Sequence, residues 1–576
     1  MMRNYKEEYQ RWLDSPALSE TEWEELNSIA DDEKEIESRF FAPLEFGTAG
    51  LRGTMKLGLH QMNVHVIRHA TQAFANVIKA EGAQAMEKGI AICFDCRNNS
   101  KLFAREAACV MAANGIHVRI FDALRPTPEL SFAVRYYGTT AGLNITASHN
   151  PKEYNGYKVY WSDGAQLPPQ HAEAIAEQMS KIDIFNDFVT CDFEDALSSG
   201  KIELIGAETD EAYLEQVLGQ AINKSVVAKV APEFKIVYTP FHGAGYKLVP
   251  EALHRLGITQ LFPVPEQMVI DGNFPTVESP NPENPEGFYL AVDLAKEVGS
   301  DLIIGTDPDS DRIGVMVRSG DGYKTITGNQ LGVLLLDYVI TARKAAGTLP
   351  ENAGAVKSIV TTEMAKAVAE ANGVHFEDTF TGFKFMAERI AQWESAGSYK
   401  YIFAYEESYG YMMGDYVRDK DAVTASMMVA EMAAYYYDKG MNLSQAMESL
   451  YEKYGRYAEK TLNLVMPGLD GIVKMKNLMA DLRSNPPRKI ADVEVFRIRD
   501  YSDGSITVPE LGVMGNTPIK GSNVLYFELA DGTSFIVRPS GTEPKVKVYI
   551  LCKGKDKTEC DAKIAKYSEY AESLRK

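Results

Sequence analysis

Apolar positions along this chain switch repeatedly between two spacings. HVIRHATQAFANVIKAEGA (65–83) has helical periodicity, IAICFD (90–95) is a continuous apolar run, LFAREAACVMAANG (102–115) returns to the helical spacing and ends on Gly115, and HVRIFD (117–122) is again strand-like. Such alternation predicts parallel sheets covered by helices. The pattern restarts at FKIVYTPFHGAG (234–245), a strand entering a glycine-containing loop, followed by a helix over 247–256 and further strands through DLIIGTD (301–307). A third round begins near 325, with a helix over 329–345 and a strand at KYIFAYEES (400–408). After about 460 the texture changes: VEVFRIRDYS and SNVLYFELADGTSFIVRPSG read as short β segments, closed by a charged helix near 556–575. The rounds repeat a pattern, not residues. Ahead of them, residues 1–40 are acidic and helical. Ser19 and Glu22 in SETE fit a capping box, and the segment reads as an extension packed on the first domain.

With 576 residues the chain is too long for one hydrophobic core. No stretch approaches the roughly 18 consecutive apolar residues of a membrane span, and the N-terminus lacks the apolar core of a secretion signal. Six cysteines do not make a disulfide framework, so reduced thiols and a cytoplasmic location are expected. The net charge of −20 argues against a nucleic-acid partner. An anionic substrate would need a local basic pocket, which charges more than about 8 Å away would hardly affect in physiological salt.

Five polar loops stand out at strand ends, where α/β sheets bind ligands. In GTDPDSDRIG (305–314), Asp307, Asp309 and Asp311 alternate directly after an apolar run; three carboxylates this close call for a cation, and hard oxygen ligands favour Mg²⁺. An EF-hand would need Gly and Glu where Arg312 and Arg318 stand. A solvated acidic turn and an aspartyl-phosphate enzyme remain open on local grounds. RPSGTEPKVKVY (538–549) offers Arg538, Ser540, Gly541 and Thr542, a guanidinium and hydroxyls suited to a phosphate dianion, or an ordinary turn. AYEESYGY (404–411) offers Glu406, Glu407 and Ser408 to sugar hydroxyls, although Glu pairs are commonly surface. NITASHNPKEYNGYK (144–158) sets Ser148 beside His149, with Lys158 downstream; FGTAGLRGTM (46–55) carries Arg52, for which a surface ion pair is the plain alternative. Two look-alikes are set aside. CFDC (93–96) has redox spacing but lies in an apolar strand, and GTAGLRG lacks the preceding strand of a dinucleotide loop.

TASHNP, GTDPDSDRIG, EES and RPSGTEP occur in this order, with FGTAGLR, DCRNNS (95–100), PTP (126–128), TGNQLG (327–332), TGFK (381–384) and DKD (419–421) around them. The set resembles the α-D-phosphohexomutase superfamily over about 41–550, and within it the bacterial phosphoglucomutase branch with the longer N-terminus. The resemblance implies an α/β fold of four domains around a central cleft: three related α/β units with mixed sheets and a smaller C-terminal α+β domain. The boundaries follow as 1–210, 211–322, 323–455 and 456–576, carrying in turn the phosphoserine, metal, sugar and phosphate loops.

It also implies the reaction, reversible interconversion of glucose 1-phosphate and glucose 6-phosphate through a phosphoserine at Ser148 and glucose 1,6-bisphosphate, which also serves as activator. Phosphomannomutase and phosphopentomutase activities are the alternatives. One Mg²⁺ per chain would be held by Asp307, Asp309, Asp311 and Ser148. Glu406 and Ser408 would grip sugar hydroxyls with Lys384 nearby, Arg312 would join the substrate contacts, and Arg538, Ser540, Gly541 and Thr542 would hold the distal phosphate. Lys158, His149 and Lys420 are candidates for proton transfer, with Arg52 beside them. Some relatives place a histidine where Gly410 stands, which moves weight to Lys420. The expected partner is a hexose phosphate, with no nucleic acid and no membrane, for a monomer or homodimer.

Overall fold

The computed structural model describes residues 4–47, 50–466, 471–540 and 545–575. The chain divides into two compact units, one of residues 1–327 and 408–442, the other of 328–407 and 443–576.

The first unit contains two sheets of the same plan. In the first, the strands Ala141–Ile145, Ile90–Phe94, Val118–Phe121 and Ile202–Ile205 run parallel, and Tyr154–Trp161 and then Leu51–Thr54 are added antiparallel at the Ala141–Ile145 edge. In the second, Leu302–Thr306, Lys235–Thr239 and Gln260–Pro263 run parallel, with Ile313–Ser319 and Gly322–Ile326 antiparallel at the Leu302–Thr306 edge. Apolar periodicity predicts the parallel strands Ile90–Phe94, Val118–Phe121, Lys235–Thr239 and Leu302–Thr306; Ala141–Ile145, Ile202–Ile205 and the antiparallel return strands are not located by it. Both polar loops thus occupy one topological position, the turn between the last parallel strand and its antiparallel return. At the second turn the backbones are crowded. Gly305 pairs with Gly314, and the Phe288 ring covers both, so that a Cβ would fall 2.5 Å and 2.8 Å from it.

The predicted helices form with shifted ends. The run at 65–83 is a helix over Val64–Ala80 followed by a short one over Ala83–Lys88, and the run at 102–115 is a helix over Ser100–Ala113. Asn114 caps that helix, and Gly115 takes the left-handed turn one residue later at φ 78°. Residues 1–40 form three helices, Tyr5–Leu13, Glu20–Asn27 and Glu33–Phe40, with the Ser19–Glu22 capping box in place. Their apolar faces join the first sheet's core through Trp12, Leu26 and Phe40, all essentially inaccessible to water. Trp12 meets Phe40, His65 and Phe185 edge to face, with ring centroids 5.0–5.6 Å apart.

In the second unit, Ala353–Ser358 runs parallel to both His375–Thr379 and Lys400–Glu406, under helices Gly328–Ala345 and Phe383–Ala396. The rest is an antiparallel sheet whose core packs against helices Gly471–Ser484 and Lys557–Ser573. Its other side carries Tyr526, Ile536 and Tyr549, which cluster with Ile359, Val360 and Phe380.

Candidate active site

The stretch 144–158 is less of a loop than its sequence indicates. Asn144 lies one residue before the end of a strand, residues 146–153 form the turn, and Lys158 lies on the return strand directly opposite Asn144. Cross-strand partners share a face of the sheet. Both side chains reach the acidic turn: Lys158 Nζ lies 2.8 Å from Asp309 Oδ2 and 3.6 Å from Asp311 Oδ2, and Asn144 donates to Thr127 Oγ1 (2.7 Å), which donates to Asp309 Oδ2 (2.8 Å). Ser148 is buried and left-handed at φ 53°. Its Oγ donates to Asp307 Oδ2 (3.2 Å) and lies 3.1 Å from His149 Nδ1. Burial, reinforced by the charges of Arg312 and Arg52, holds the His149 ring well below its usual pKa and therefore neutral.

Asp307, Asp309 and Asp311 each present one carboxylate oxygen within 4.8 Å of the other two. All three are at most 1% exposed. Asp307 Oδ1 accepts from the backbone N–H groups of Asp311 (3.0 Å) and Arg312 (2.9 Å). Burial and the two neighbouring carboxylates push its pKa far up. Burial opposes ionisation of Asp309 as well, but Lys158 and Thr127 outweigh it and hold that carboxyl below the usual range. Among the described residues, Asp309 Oδ1 and Asp311 Oδ1 are buried without a hydrogen-bond partner, although Arg312 Nε lies 3.8 Å from the latter. Three buried carboxylates gathered this closely are strongly unfavourable without a cation, so the donor set fits a hard divalent ion.

Lys420 closes the same group. Its Nζ lies 3.2 Å from Asp311 Oδ2 and 3.1 Å from Asp419 Oδ1. Asp419 Oδ2 accepts from Tyr160 OH (2.8 Å) and Gln166 Nε2 (2.9 Å). Arg52 donates to Asn150 Oδ1 (2.9 Å), so it meets the serine turn rather than a carboxylate. Arg312 Nη1 donates to Glu283 (2.9 Å) and to the carbonyl of Ser408 (3.1 Å). The structure therefore brings Ser148, His149, Arg52, Lys158, Arg312, Lys420 and the three aspartates together inside one unit.

The other predicted residues lie in the second unit, Ser408 excepted. Glu406 is buried and accepts from the backbone N–H of Gly382, which joins the sugar loop to TGFK at the start of the helix carrying Lys384. The Lys384 ammonium lies 4.7 Å from the Phe385 ring centroid. Glu407 accepts from the hydroxyls of Ser358 and Thr361, both at 3.0 Å. Arg538 Nη1 donates to Tyr549 OH (3.4 Å), and Ser540 N–H to the Lys545 carbonyl (2.8 Å). Gly541 and Thr542 lie outside the described residues.

Thr127, Asn144, Tyr160 and Asp419 carry no role in the sequence reading, although PTP and DKD contain two of them. For Asn144 and Tyr160 the only local signal is a polar residue within an apolar strand; Thr127 opens a helix and Asp419 lies between a strand and a helix, where polar residues are ordinary. Of the CFDC pair, Cys93 lies in the strand and Cys96 two residues past its end; burial pushes both thiols well above their usual pKa, opposite to a redox-active cysteine.

Comparison with known proteins agrees with this arrangement. Residues 43–185, 211–320 and 327–454 match alpha/beta/alpha domains I, II and III of phosphoglucomutase/phosphomannomutase, and 486–565 match the C-terminal domain. A phosphoglucomutase of Staphylococcus aureus is 36% identical over 540 residues, 93% of this chain and 94% of its own. Among solved structures, a phosphoglucomutase/phosphomannomutase family protein from Burkholderia thailandensis (TM-score 0.65, 18% identity, 92% of this chain and 97% of that one) shares the fold. So does parafusin, a phosphoglucomutase from Paramecium (TM-score 0.66, 18% identity, 92% and 94%). With four consecutive domain matches and a relative of this identity over nearly its whole length, the chain belongs to the phosphoglucomutase/phosphomannomutase family.

Proposed function

We infer that the protein is a phosphoglucomutase, interconverting α-glucose 1-phosphate and glucose 6-phosphate through a phosphorylated Ser148. The observation that carries this reading is the hydroxyl of Ser148 hydrogen-bonded to one of three buried aspartates, two of which keep an unpartnered oxygen. The relative's name supplies the sugar. The four matched segments fall one within each of the expected domains, 1–210, 211–322, 323–455 and 456–576, which supports that division.

The reaction balances without water. In the first transfer the bond from phosphorus to Ser148 Oγ breaks as a bond to the sugar's free hydroxyl oxygen forms, and that hydroxyl's proton ends on Ser148 Oγ. In the second, the other phosphate of glucose 1,6-bisphosphate moves back to Ser148 Oγ, and the serine proton goes to the sugar oxygen that is released. Lys158 and Lys420, both within reach of Asp311 Oδ2, are the proton carriers in this reading. Neutral His149, 3.1 Å from Ser148 Oγ, orients the hydroxyl. Asp307, Asp309, Asp311 and an oxygen of phospho-Ser148 would hold Mg²⁺, which supplies stabilisation of charge on the transferred group. Arg52 and Arg312 are the cations available to phosphate. Glu406, Ser408 and Lys384 serve the sugar, and Arg538, Ser540, Gly541 and Thr542 the distal phosphate, on the strength of the family resemblance. No helix is long and apolar enough to cross a membrane among the described residues, and all six cysteines are free, which supports a cytoplasmic placement.

The test is a coupled assay on glucose 1-phosphate, mannose 1-phosphate and ribose 1-phosphate, with and without glucose 1,6-bisphosphate. Absence of glucose turnover with Mg²⁺ and activator present overturns the reading.

A further inference from the structure

Arg97 has no part in the chemistry above, yet its side chain is wholly buried against the serine turn. Nη1 donates to the carbonyls of Pro151 (2.8 Å) and Tyr154 (3.0 Å); Nη2 donates to those of Ser148 (2.7 Å) and Asn150. One guanidinium therefore holds four carbonyls of a single turn. Nε lies 3.3 Å from Asp95 Oδ2. Asp95 also accepts from Arg97 N–H (3.0 Å), Ser100 Oγ (2.7 Å) and Thr146 Oγ1 (2.6 Å). While donating to Asp95, the Thr146 hydroxyl accepts from Ser148 N–H (2.9 Å).

Both peptide groups of Ser148 are thus tied to one carboxylate, the N–H through Thr146 and the C=O through Arg97. A non-glycine residue in the left-handed region is strained, and it persists where its surroundings over-determine it. The clamp has a lid from the second sheet's domain. Arg97 lies 5.2 Å from the Phe274 ring centroid, Asn98 donates to Asn273 Oδ1 (3.0 Å), and a Cβ on Gly272 would fall 2.4 Å from Asn98 N.

We propose that Asp95, Arg97 and Thr146 are positioning residues that lock Ser148 in the conformation presenting Oγ to Asp307, and that this lock retains the bisphosphate intermediate between the two transfers. The proposal rests on the reading of Ser148 as phosphoryl carrier. The second transfer must end on the same oxygen as the first began. A Ser148 free to swing accepts the phosphoryl group late, and the bisphosphate escapes. A loosened clamp therefore shows as dependence on added bisphosphate, with affinity for the monophosphate preserved.

The experiment compares wild type with Thr146→Val, Thr146→Ser and Arg97→Lys. Valine keeps the shape of threonine and removes its hydroxyl. Lysine keeps the charge facing Asp95, but its single nitrogen cannot span four carbonyls. In Thr146→Val and Arg97→Lys, kcat without added activator falls about ten- to hundredfold, the effect of a misplaced reacting atom. The glucose 1,6-bisphosphate concentration for half-maximal rate rises about tenfold, while KM for glucose 1-phosphate moves by less than about threefold. Thr146→Ser recovers most of the loss. A residue that only supports folding lowers the active fraction and leaves the activator requirement where it was, so an unchanged requirement in both Thr146→Val and Arg97→Lys overturns the clamp. Peptide mass analysis of the wild type separates the two ideas. Phosphate on Ser148 with an unshifted requirement in the variants removes the clamp alone, whereas no phosphate on Ser148 after incubation with the bisphosphate removes the carrier and the clamp together.

Discussion

Replacing Lys158 by methionine tests the electrostatic account of the acidic turn. The lysine Nζ lies 2.8 Å from Asp309 and 3.6 Å from Asp311. At an effective dielectric of about 20, those separations correspond to about 6 and about 5 kcal/mol of attraction before desolvation is subtracted. Removing one partner of such a buried pair costs about 3–5 kcal/mol net, because the carboxylate stays behind uncompensated. At about 2–4 °C per kcal/mol, the melting temperature falls on the order of 10 °C. The same change makes the site a better cation trap. With one positive charge fewer, a divalent ion recovers more free energy on binding, so Mg²⁺ raises the melting temperature of Lys158→Met more than that of wild type. The sign with pH follows from Asp309. Its depressed pKa contributes stability above the ordinary aspartate range and loses it as pH falls through the folded value. In the variant the Thr127 hydroxyl is left to oppose burial without the lysine charge, Asp309 protonates more readily, and the deficit shrinks as pH falls toward about 4. Calorimetry in chelator and in Mg²⁺, at several pH values, reads all three effects. A variant as stable as wild type in chelator, or one that gains no more from Mg²⁺, refutes the reasoning.

Ser148→Ala should abolish turnover and any phosphate seen by intact mass; retained activity would instead point to aspartyl-phosphate chemistry at Asp307. Trp12→Ala should destabilise the first unit by about 3–5 kcal/mol, since the residue is wholly buried among aromatic partners, with kcat preserved at low temperature; wild-type stability in urea would contradict the packing described. Glu459 is pushed from 4.5 to about 7, chiefly by burial, so the folded state holds its proton where the unfolded chain has lost it. Stability should therefore decline as pH rises from about 4.5 and level off above about 7, and Glu459→Gln should flatten that slope in denaturant titrations; an unchanged slope would assign it to other groups.

What could be read in the sequence divides by distance along the chain. Ser148 and the aspartate triad announce themselves because each motif is contiguous and follows an apolar strand. Lys158 and Lys420 are visible as cations, but their pairing with Asp309 and Asp311 is set by sheet register and by a segment from 408–442. Thr127 and Tyr160 are silent for the same reason: their partners lie 182 and 259 positions away. Arg97 binds backbone carbonyls, and a carbonyl leaves no trace in residue identity. The strand Tyr154–Trp161 was hidden by its glycine and lysine, which read as loop chemistry. The repeated rounds, by contrast, were legible in periodicity. Their shared geometry reaches finer than periodicity can show: Ser148, Ser310 and Tyr409, each just past the end of a strand, are all non-glycine residues at positive φ.

The N-terminal helices have a consequence for synthesis. Trp12 and Arg11 are made well ahead of Phe185 and Asp183, on which they dock. At about 5–20 residues per second, a ribosome takes about 9–35 s to supply those partners. Throughout that interval an amphipathic segment bearing an unburied tryptophan trails outside the tunnel, a natural substrate for a holding chaperone. The first domain closes only when its end returns to its beginning.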